Sequence, residues 1–186
     1  MISMEMMRVP FDKSYWVVPG KFLAGCYPGA MRSDDEQERK LKALLDTGIR
    51  CIVNLMYDYE MEWPVGMFEG YEKSVCMLAQ DKGVEVECVR MPIPDMSILS
   101  IVGMKEILDK IDAAIVQGRP VYVHCWEGRG RAGTVVGCYL VRHGIAVGNQ
   151  ALAMIQELRK NGCSVFQSSP QNERQKWMVR LWKVGE

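Results

Sequence analysis

VYVHCWEGRGRAGTVVGCYL, residues 121–140, is the stretch of sequence that decides the fold. A short apolar run, typical of a buried strand, leads directly to Cys125, and Arg131 opens a segment with the apolar spacing of a helix. The loop between them contains Gly128 and Gly130, which permit positive φ angles and a close approach of the backbone. The stretch therefore predicts a strand, a tight loop and a helix, with a thiol and a guanidinium at the two ends of the loop.

This loop has the chemistry of an anion site. A loop that leads into a helix N-terminus points several backbone N–H groups at one place, where the helix dipole also favours negative charge. Arg131 adds a planar fork of donors that matches two phosphate oxygens. The same field favours the thiolate form of Cys125, and a thiolate beside a bound phosphate is a nucleophile for phosphorus. The alternative is that Cys125 is a buried structural thiol and that the composition of the loop arose by chance. The other loop positions should donate backbone amides or shape the pocket: Trp126, Glu127, Gly128, Arg129 and Gly130.

Strand and helix patterns alternate along the rest of the chain. Residues 15–30 contain two short apolar runs broken by Pro-Gly pairs, as in a β-hairpin. A helix is predicted for 33–48 with Ser33 as N-cap, and the last helix is predicted to start with Ser169 as N-cap and Pro170 as its first residue. The alternation predicts an α/β fold with a central, mostly parallel sheet, helices on both faces and a strand–phosphate loop–helix active site.

We expect one domain. The sequence shows no internal repeat or low-complexity linker, so residues 11–186 are predicted to form a single catalytic domain and residues 1–10 a flexible N-terminus. Ligands of such sheets bind beyond the carboxyl ends of the strands, which is where Cys125 is predicted to lie.

The composition limits the classes of partner. Equal numbers of basic and acidic residues, 23 of each, argue against nucleic-acid binding through a broad basic surface. No apolar run reaches the length of a membrane helix, so no membrane partner is expected. The seven cysteines lack C-x-x-C spacing and the first residues do not resemble an export signal, which together predict a reducing, cytoplasmic location. The oligomeric state is left open.

Residues 124–134, HCWEGRGRAGT, resemble the H-C-x5-R signature of the cysteine-dependent protein tyrosine and dual-specificity phosphatases. The likeness extends to YWVVPGKFLAGCYPGA, GIRCIVNL, VRMPIPDMS and VGCYLVRHG, and the chain length suits a small dual-specificity branch. The resemblance implies a phosphocysteine intermediate on Cys125, phosphate binding by Arg131, orientation of the cysteine by His124, and neither a metal nor another cofactor. The implied partner is a phosphorylated protein, phosphotyrosine first with phosphoserine and phosphothreonine as further options, or a small phosphomonoester.

The family also implies a general acid, an aspartate on a loop after a strand about thirty residues before the cysteine. Asp95 in RMPIPDMS fits this position. The alternative reading of Asp95 is a turn residue or helix N-cap, since aspartate is common in both.

One position departs from the family pattern. Relatives usually carry serine or threonine directly after the signature arginine, whereas this chain has Ala132. That hydroxyl helps the thiolate leave when water attacks the phosphocysteine, so its loss is expected to slow the second step. Thr134 is not assumed to compensate.

Three further features have open interpretations. Arg129 either adds positive charge for the substrate or pairs with Glu127 in solvent, and the second is favoured. The carboxylates of residues 57–72 either border the site or are solvated. They are Asp58, Glu60, Glu62, Glu69 and Glu72. His143 is interpreted as a residue at a helix C-terminus that interacts with the dipole.

Two residue pairs have a possible place at the site as well. Gln171 and Gln175 either approach the hydrolytic water or lie on a helix surface, which is favoured. Cys51 and Cys88 either form a reversible disulfide with Cys125 or are buried thiols, which is favoured.

Three other classes of protein compete with the phosphatase interpretation. Ala132 suggests a phosphoprotein-binding module with little turnover. A rhodanese-like sulfurtransferase also uses a cysteine in an anion-binding loop, but it leaves Asp95 unexplained. Arsenate reduction shares the C-x5-R arrangement, but with the cysteine near the N-terminus.

Overall fold

A computed structural model describes residues 8–30, 34–61, 70–160 and 167–186. Most of the N-terminus predicted to be flexible, and Ser33 as a cap, lie outside these residues. The described residues form five strands and six α-helices, which alternate from β2 to α4: β1 (Ser14–Val18), β2 (Phe22–Gly25), α1 (Asp34–Asp46), β3 (Cys51–Asn54), α2 (Tyr71–Asp81), β4 (Glu87–Arg90), α3 (Ile101–Val116), β5 (Val121–His124), α4 (Arg131–Arg142), α5 (Gly148–Arg159) and α6 (Glu173–Leu181). A 3-10 turn, Asp58–Met61, follows β3.

The strands form one sheet in the order β1-β2-β5-β3-β4. The predicted hairpin is the antiparallel pair of β1 and β2, and every other neighbouring pair is parallel. The mostly parallel sheet predicted from the sequence is confirmed. Because β2, β5 and β3 run in the same direction, their carboxyl ends meet at one edge, where Gly25, Asn54 and His124 stand in register.

The helices cover both faces of the sheet because parallel strands need crossover connections of one hand. The chain moves from β2 to β3 through α1 and from β3 to β4 through α2, in one direction across the sheet, and α1 packs against α2. It then returns from β4 to β5 through α3, which brings α3 to the opposite face. There α3 packs on α4, which in turn contacts α5 and α6.

The central strands are buried from both sides. All four residues of β3 and of β5 are buried, and the side chains of Ile52 and Tyr122 are fully enclosed. Near-continuous apolar runs are what a parallel sheet covered on both faces requires. Within the described residues, no helix is both long and apolar enough to cross a membrane.

The start of the last helix differs from the prediction. The N-cap of α6 is Asn172, whose side chain accepts from the N–H of Gln175 while the Gln175 side chain accepts from the N–H of Asn172, a capping box. The Ser169 hydroxyl instead donates to the carbonyl of Arg129 at 2.7 Å, and the peptide bond between Ser169 and Pro170 is cis. Ser169 is therefore a support for the loop after β5 and not a helix cap.

Candidate active site

The loop from Cys125 to Arg131 leaves the carboxyl end of β5 and enters α4 directly. Cys125 is only 3% exposed. Gly128 has a φ of 70°, and a Cβ atom there would lie 2.4 Å from the carbonyl carbon of Gly25. The positive φ and the close backbone approach expected of Gly128 are both present.

Gly130 serves a different purpose. Its φ of −78° is open to any residue, so the predicted need for a positive φ is wrong at this position. A Cβ atom at Gly130 would lie 3.0 Å from the Gln171 side-chain oxygen and 3.1 Å from the Gln175 side-chain nitrogen. The glycine makes room for these two side chains beside the loop.

Arg131 is buried and meets two carboxylates. Its Nη1 donates to both carboxylate oxygens of Glu60, at 2.6 and 2.7 Å, and its Nη2 lies 3.3 Å from Oδ1 of Asp95. The side chain of Glu60 is 16% exposed, whereas that of Asp95 is 64% exposed. One side of the guanidinium is therefore fixed inside the protein, and the other faces a carboxylate that solvent and ligands reach.

The Asp95 segment is attached to the start of α6. Asn172 donates to the carbonyl of Met96 at 2.9 Å, and Gln175 donates to the carbonyl of Ser97 at 3.3 Å. Met96 itself has a φ of 57°, an uncommon conformation for a residue with a side chain. These contacts hold the segment after β4 beside Arg131. Asp95 is not a helix N-cap but lies in a turn, in which the N–H of Ser97 donates to the carbonyl of Pro94 at 3.0 Å, so the alternative of a turn residue is confirmed as its position in the fold.

His124 is enclosed directly behind the cysteine. Burial lowers its pKa to about 3, so the imidazole is neutral near pH 7. Its Nδ1 lies 3.3 Å from the carbonyl oxygen of Cys125, and its Nε2 lies 2.7 Å from the hydroxyl of Tyr71. Because a carbonyl only accepts, Nδ1 carries the proton, and Nε2 accepts from Tyr71, whose pKa burial raises well above its usual range. The pair fixes both the imidazole and the backbone at Cys125.

The described carboxylates of residues 57–72 form ion pairs with arginines. Glu60 contacts Arg131, and both Asp58 and Glu72 contact Arg90, at 3.0 and 2.8 Å. The interpretation as solvated charge is therefore wrong for Glu60, whose side chain is 16% exposed, whereas Asp58 remains 84% exposed beside its partner. Glu62 and Glu69 lie outside the described residues.

Three of the remaining loop side chains make contacts of their own. Trp126 is 38% exposed and stacks on Tyr27, with ring centroids 5.7 Å apart. Arg129 lies 3.5 Å from the Glu127 carboxylate, so the pairing favoured from the sequence is confirmed, but the Arg129 side chain is only 18% exposed and the expected solvent-facing position is wrong.

No nearby hydroxyl replaces the one missing at Ala132 among the contacts of the described residues. The Ala132 side chain is fully buried. The Thr134 hydroxyl donates to the carbonyl of Gly130 at 2.8 Å, one turn back along α4. Thr134 is thereby committed to the helix backbone.

Gln175 was expected on a helix surface, and that expectation is wrong. Its side chain is fully buried and bonds to the backbone N–H of Gln171 and Asn172 and to the carbonyl of Ser97. Its role is to join the start of α6 to the Asp95 segment.

The register of the strands rules out a disulfide between Cys125 and either Cys51 or Cys88. Cys51 pairs with Val121, four positions before Cys125, which is about 13 Å along the strand. Cys88 lies on β4, one strand further away. Both are free thiols, and burial raises their pKa, that of Cys88 to about 12.

At the far end of α4, His143 caps the helix as expected and lies 2.9 Å from Asp112.

Sequence reasoning missed Tyr71 and named Glu60 only as one of five carboxylates that could border the site. Glu60 lay in an acidic run with no feature that separates it from its neighbours. Tyr71 begins α2 and contacts His124 across 53 positions of sequence. The capping box at Asn172 was visible as N-x-x-Q and would have corrected the start of α6.

The family comparison agrees with this geometry. A family described as "Polymorphic toxin system, DSP-PTPase phosphatase" matches residues 28–145, which include β3, β4, β5, the Cys125 loop and α4. An Arabidopsis thaliana protein, phosphatidylglycerophosphate phosphatase PTPMT2, is 30% identical over 122 residues, 65% of this chain and 44% of that protein. The chain thus spans less than half the length of this curated relative.

Solved structures share the fold. The active form of Tk-PTP is 23% identical, with a TM-score of 0.63 over 90% of this chain and 94% of that one. PTPMT1 in complex with PI(5)P is 19% identical, with a TM-score of 0.63 over 92% of this chain and 94% of that one. At these identities the likeness is one of fold.

Proposed function

The chain belongs to the DSP-PTPase phosphatase family, within the small dual-specificity-like branch of the cysteine-dependent tyrosine phosphatases, and we propose that it hydrolyses phosphate monoesters through a phosphocysteine on Cys125. The observation that carries the proposal is the arrangement around one point: a cysteine at a strand end, a loop closed tightly by Gly128, and the guanidinium of Arg131 at the start of α4. Such a loop binds a phosphate dianion through its amides and places the sulfur in line with the ester bond.

In the first step, the Cys125 thiolate attacks phosphorus. The sulfur–phosphorus bond forms, the phosphorus–oxygen ester bond breaks, and its electron pair goes to the leaving oxygen. Asp95 in its acid form gives that oxygen a proton. Its exposed carboxyl lies beside Arg131, the residue that binds the phosphate, so it is within reach of the leaving group.

In the second step, water attacks the phosphocysteine. The sulfur–phosphorus bond breaks, the thiolate leaves, Asp95 accepts the proton of the attacking water, and inorganic phosphate is released. Ala132 offers the departing sulfur no hydroxyl, and the Thr134 hydroxyl is bonded to Gly130. This step is therefore the slow one.

Glu60 and His124 act through their neighbours. Glu60 occupies Nη1 of Arg131 and so orients the remaining guanidinium donors toward the phosphate. His124, held by Tyr71, fixes the backbone at Cys125. Both are positioning residues.

Two substrate classes fit this chemistry. Phosphotyrosine in a protein, with phosphoserine or phosphothreonine as additional substrates, is the class that the signature loop suggests. A phospholipid phosphomonoester is the second candidate, because the Arabidopsis relative is a phosphatidylglycerophosphate phosphatase. A phospholipid substrate would bring the protein to a membrane surface, contrary to the expectation of no membrane partner.

The test is rapid mixing with p-nitrophenyl phosphate. We expect a burst of nitrophenol near one equivalent per enzyme, followed by slow turnover, and no burst in Cys125→Ser. Ala132→Ser, which adds one oxygen to a buried side chain, should raise the steady rate by on the order of tenfold and leave the burst size unchanged. An absent burst and absent turnover in the native protein, with vanadate still bound, would instead identify a phosphoprotein-binding module.

A further inference from the structure

Arg90 is a half-buried arginine that the proposed mechanism does not use. It is the last residue of β4 and stands in register with Asn54 at the end of β3. Its Nη1 donates to the carbonyl of Met56 at 3.0 Å, its Nη2 donates to the carboxylate of Glu72 at 2.8 Å, and its Nε lies 3.0 Å from the carboxylate of Asp58. One guanidinium thus joins the segment after β3 to the first turn of α2.

The three contacts of Arg90 differ in what they contribute. The side chain of Asp58 is mostly exposed, and an ion pair that is open to water contributes little. Glu72 is more enclosed and also accepts from the side-chain amide of Asn54 at 3.4 Å. Glu72 therefore holds the Arg90 side chain, and Arg90 in turn holds the backbone at Met56.

The backbone at Met56 leads directly to Glu60, in a segment that we call the Glu60 turn (residues 55–60). The N–H of Met56 donates to the side-chain oxygen of Asn54 at 2.9 Å, and the N–H of Tyr57 donates to Oε1 of Glu60 at 2.9 Å. Oε1 of Glu60 therefore accepts both from its own turn and from Arg131. The position of this carboxylate depends on where the backbone beside Met56 lies.

The Glu60 turn supplies most of the contacts that orient Arg131. Nη1 of Arg131 donates to both oxygens of Glu60 and to the carbonyl of Leu55 at 3.5 Å. A further contact of Nη1, to the carbonyl of Ile93 at 3.3 Å, comes from the segment after β4. Because a guanidinium is planar, fixing Nη1 also fixes the direction of the other donors. A small displacement of the Glu60 turn would therefore redirect the donors that are left for a phosphate.

We propose that Arg90 is a positioning residue for phosphate binding: it holds the Glu60 turn through the Met56 carbonyl, so that Glu60 orients Arg131 toward the bound anion. The proposal rests on the proposed phosphatase function and adds to it a residue outside the Cys125 loop. Among the contacts of the described residues, none joins Arg90 to Cys125 or to Arg131, so Arg90 acts through the turn.

The contribution of Arg90 is geometric. Its guanidinium bonds to acceptors in different directions, whereas the ammonium group of a lysine is a single point charge on a flexible stem. Arg90→Lys therefore keeps the positive charge and loses the connection between Glu72 and the Met56 carbonyl. This variant separates a positioning role from a general attraction of anions.

The experiment is a calorimetric titration with tungstate, a tetrahedral dianion with the shape of phosphate, and it needs no turnover. We expect Arg90→Lys to raise the Kd of tungstate by about tenfold, because a misdirected Arg131 loses a charge-assisted hydrogen bond to the anion. Glu72→Gln leaves Arg90 with a neutral partner and should raise the Kd by about threefold.

Arg119→Lys is the matched control. Arg119 lies 2.6 Å from the carboxylate of Glu87, the first residue of β4, and this pair is about as exposed as that of Arg90 and Glu72. The replacement makes the same chemical change at the opposite end of the same strand and should leave the Kd of tungstate unchanged. Urea unfolding of every variant measures any change in stability separately from the Kd of the folded protein.

A double-variant cycle tests the route through Glu60. In the Glu60→Gln background, Arg90→Lys should change the Kd of tungstate by less than about twofold, because the carboxylate that Arg90 positions is gone. A loss that persists at full size in this background overturns the proposal, since Arg90 would then act on the anion by another route. Equal affinities of Arg90→Lys and the native protein overturn it as well.

The outcomes separate this proposal from the hydrolytic function. The expected pattern of tungstate affinities without hydrolysis of p-nitrophenyl phosphate would support the positioning role and remove the hydrolytic function. A nitrophenol burst with equal tungstate affinities in all variants would do the reverse. If the native protein bound no tungstate, both would be overturned.

Discussion

Two loops form the candidate site, and they are held in opposite ways. The loop from Cys125 to Arg131 is buried, with its backbone packed on Gly25 at the end of β2. The segment that carries Asp95 is exposed, and side chains of α6 attach it to the rest of the protein. In the proposed mechanism, the first loop holds the phosphate, whereas the second admits the substrate and exchanges protons with it.

The two carboxylates on Arg131 repeat this difference. Glu60 contacts Nη1 with both oxygens and is nearly enclosed, while Asp95 makes one longer contact to Nη2 and is mostly exposed. Ion pairs that exclude water are stronger and fix geometry, and exposed ones exchange readily with solvent. Burial thus separates a carboxylate that orients the arginine from one that, in the proposed mechanism, acts on the substrate.

The largest expected effect comes from Gly128→Ala. The new methyl group would lie 2.4 Å from backbone at Gly25 in a residue whose φ is 70°, so the loop must move. We expect a loss of about 3 kcal/mol or more in the free energy of unfolding and of nearly all hydrolysis, measured by urea unfolding and p-nitrophenyl phosphate turnover.

Gly48→Ala is the matched control for this change. Gly48 has a φ of 89°, but a methyl group added there would have nothing within 4 Å. The change should cost only the backbone strain, about 1–2 kcal/mol, and preserve turnover. Equal losses in the two variants would show that the close approach at Gly25 does not support the loop.

Asp95→Asn tests the exposed loop. Removing a general acid should lower kcat by about 10²- to 10⁴-fold for a phosphotyrosine peptide, and less for p-nitrophenyl phosphate, whose leaving group needs little protonation. Asp58→Asn is the control, because its carboxylate contacts Arg90 and not Arg131. Full activity of Asp95→Asn toward the peptide would assign the acid to another residue.

The same contrast explains which parts of the site the sequence predicts. The Cys125 loop is encoded by consecutive residues, an apolar strand followed by glycines and an arginine, so its fold and its position at the sheet edge follow from local pattern. Glu60 reaches Arg131 across 71 positions, and no local feature distinguishes it from the solvated acids that such runs usually contain. Contacts of that kind depend on how the loops pack, which pattern alone does not determine.

The start of α6 illustrates a second kind of error. Ser169-Pro170 and Asn172 both have the residue types that begin helices, and the sequence does not say which is used. The structure uses the Ser169 hydroxyl to support the carbonyl of Arg129 and lets Asn172 cap the helix. A local preference was outweighed by a contact with the active-site loop.

The smallest expected effect concerns His124, which belongs to the buried side of the comparison. Burial lowers the pKa of His124 from 6.5 to about 3. Between these two pH values the unfolded chain binds a proton at this residue and the folded protein does not. This contribution to stability is complete above pH 6.5 and is lost as the pH falls from there toward 3. Between pH 7 and pH 5 the loss should be about 2 kcal/mol, at up to ~1.4 kcal/mol per pH unit.

Urea unfolding of the native protein and of His124→Gln at both pH values isolates this term from the acid sensitivity of the carboxylates. The native protein should lose about 2 kcal/mol more than His124→Gln over this interval. An identical decline in the two proteins would mean that the folded state admits the proton at His124. The Tyr71 contact would then not hold a neutral imidazole behind Cys125, and the buried loop would be less rigid than its packing indicates.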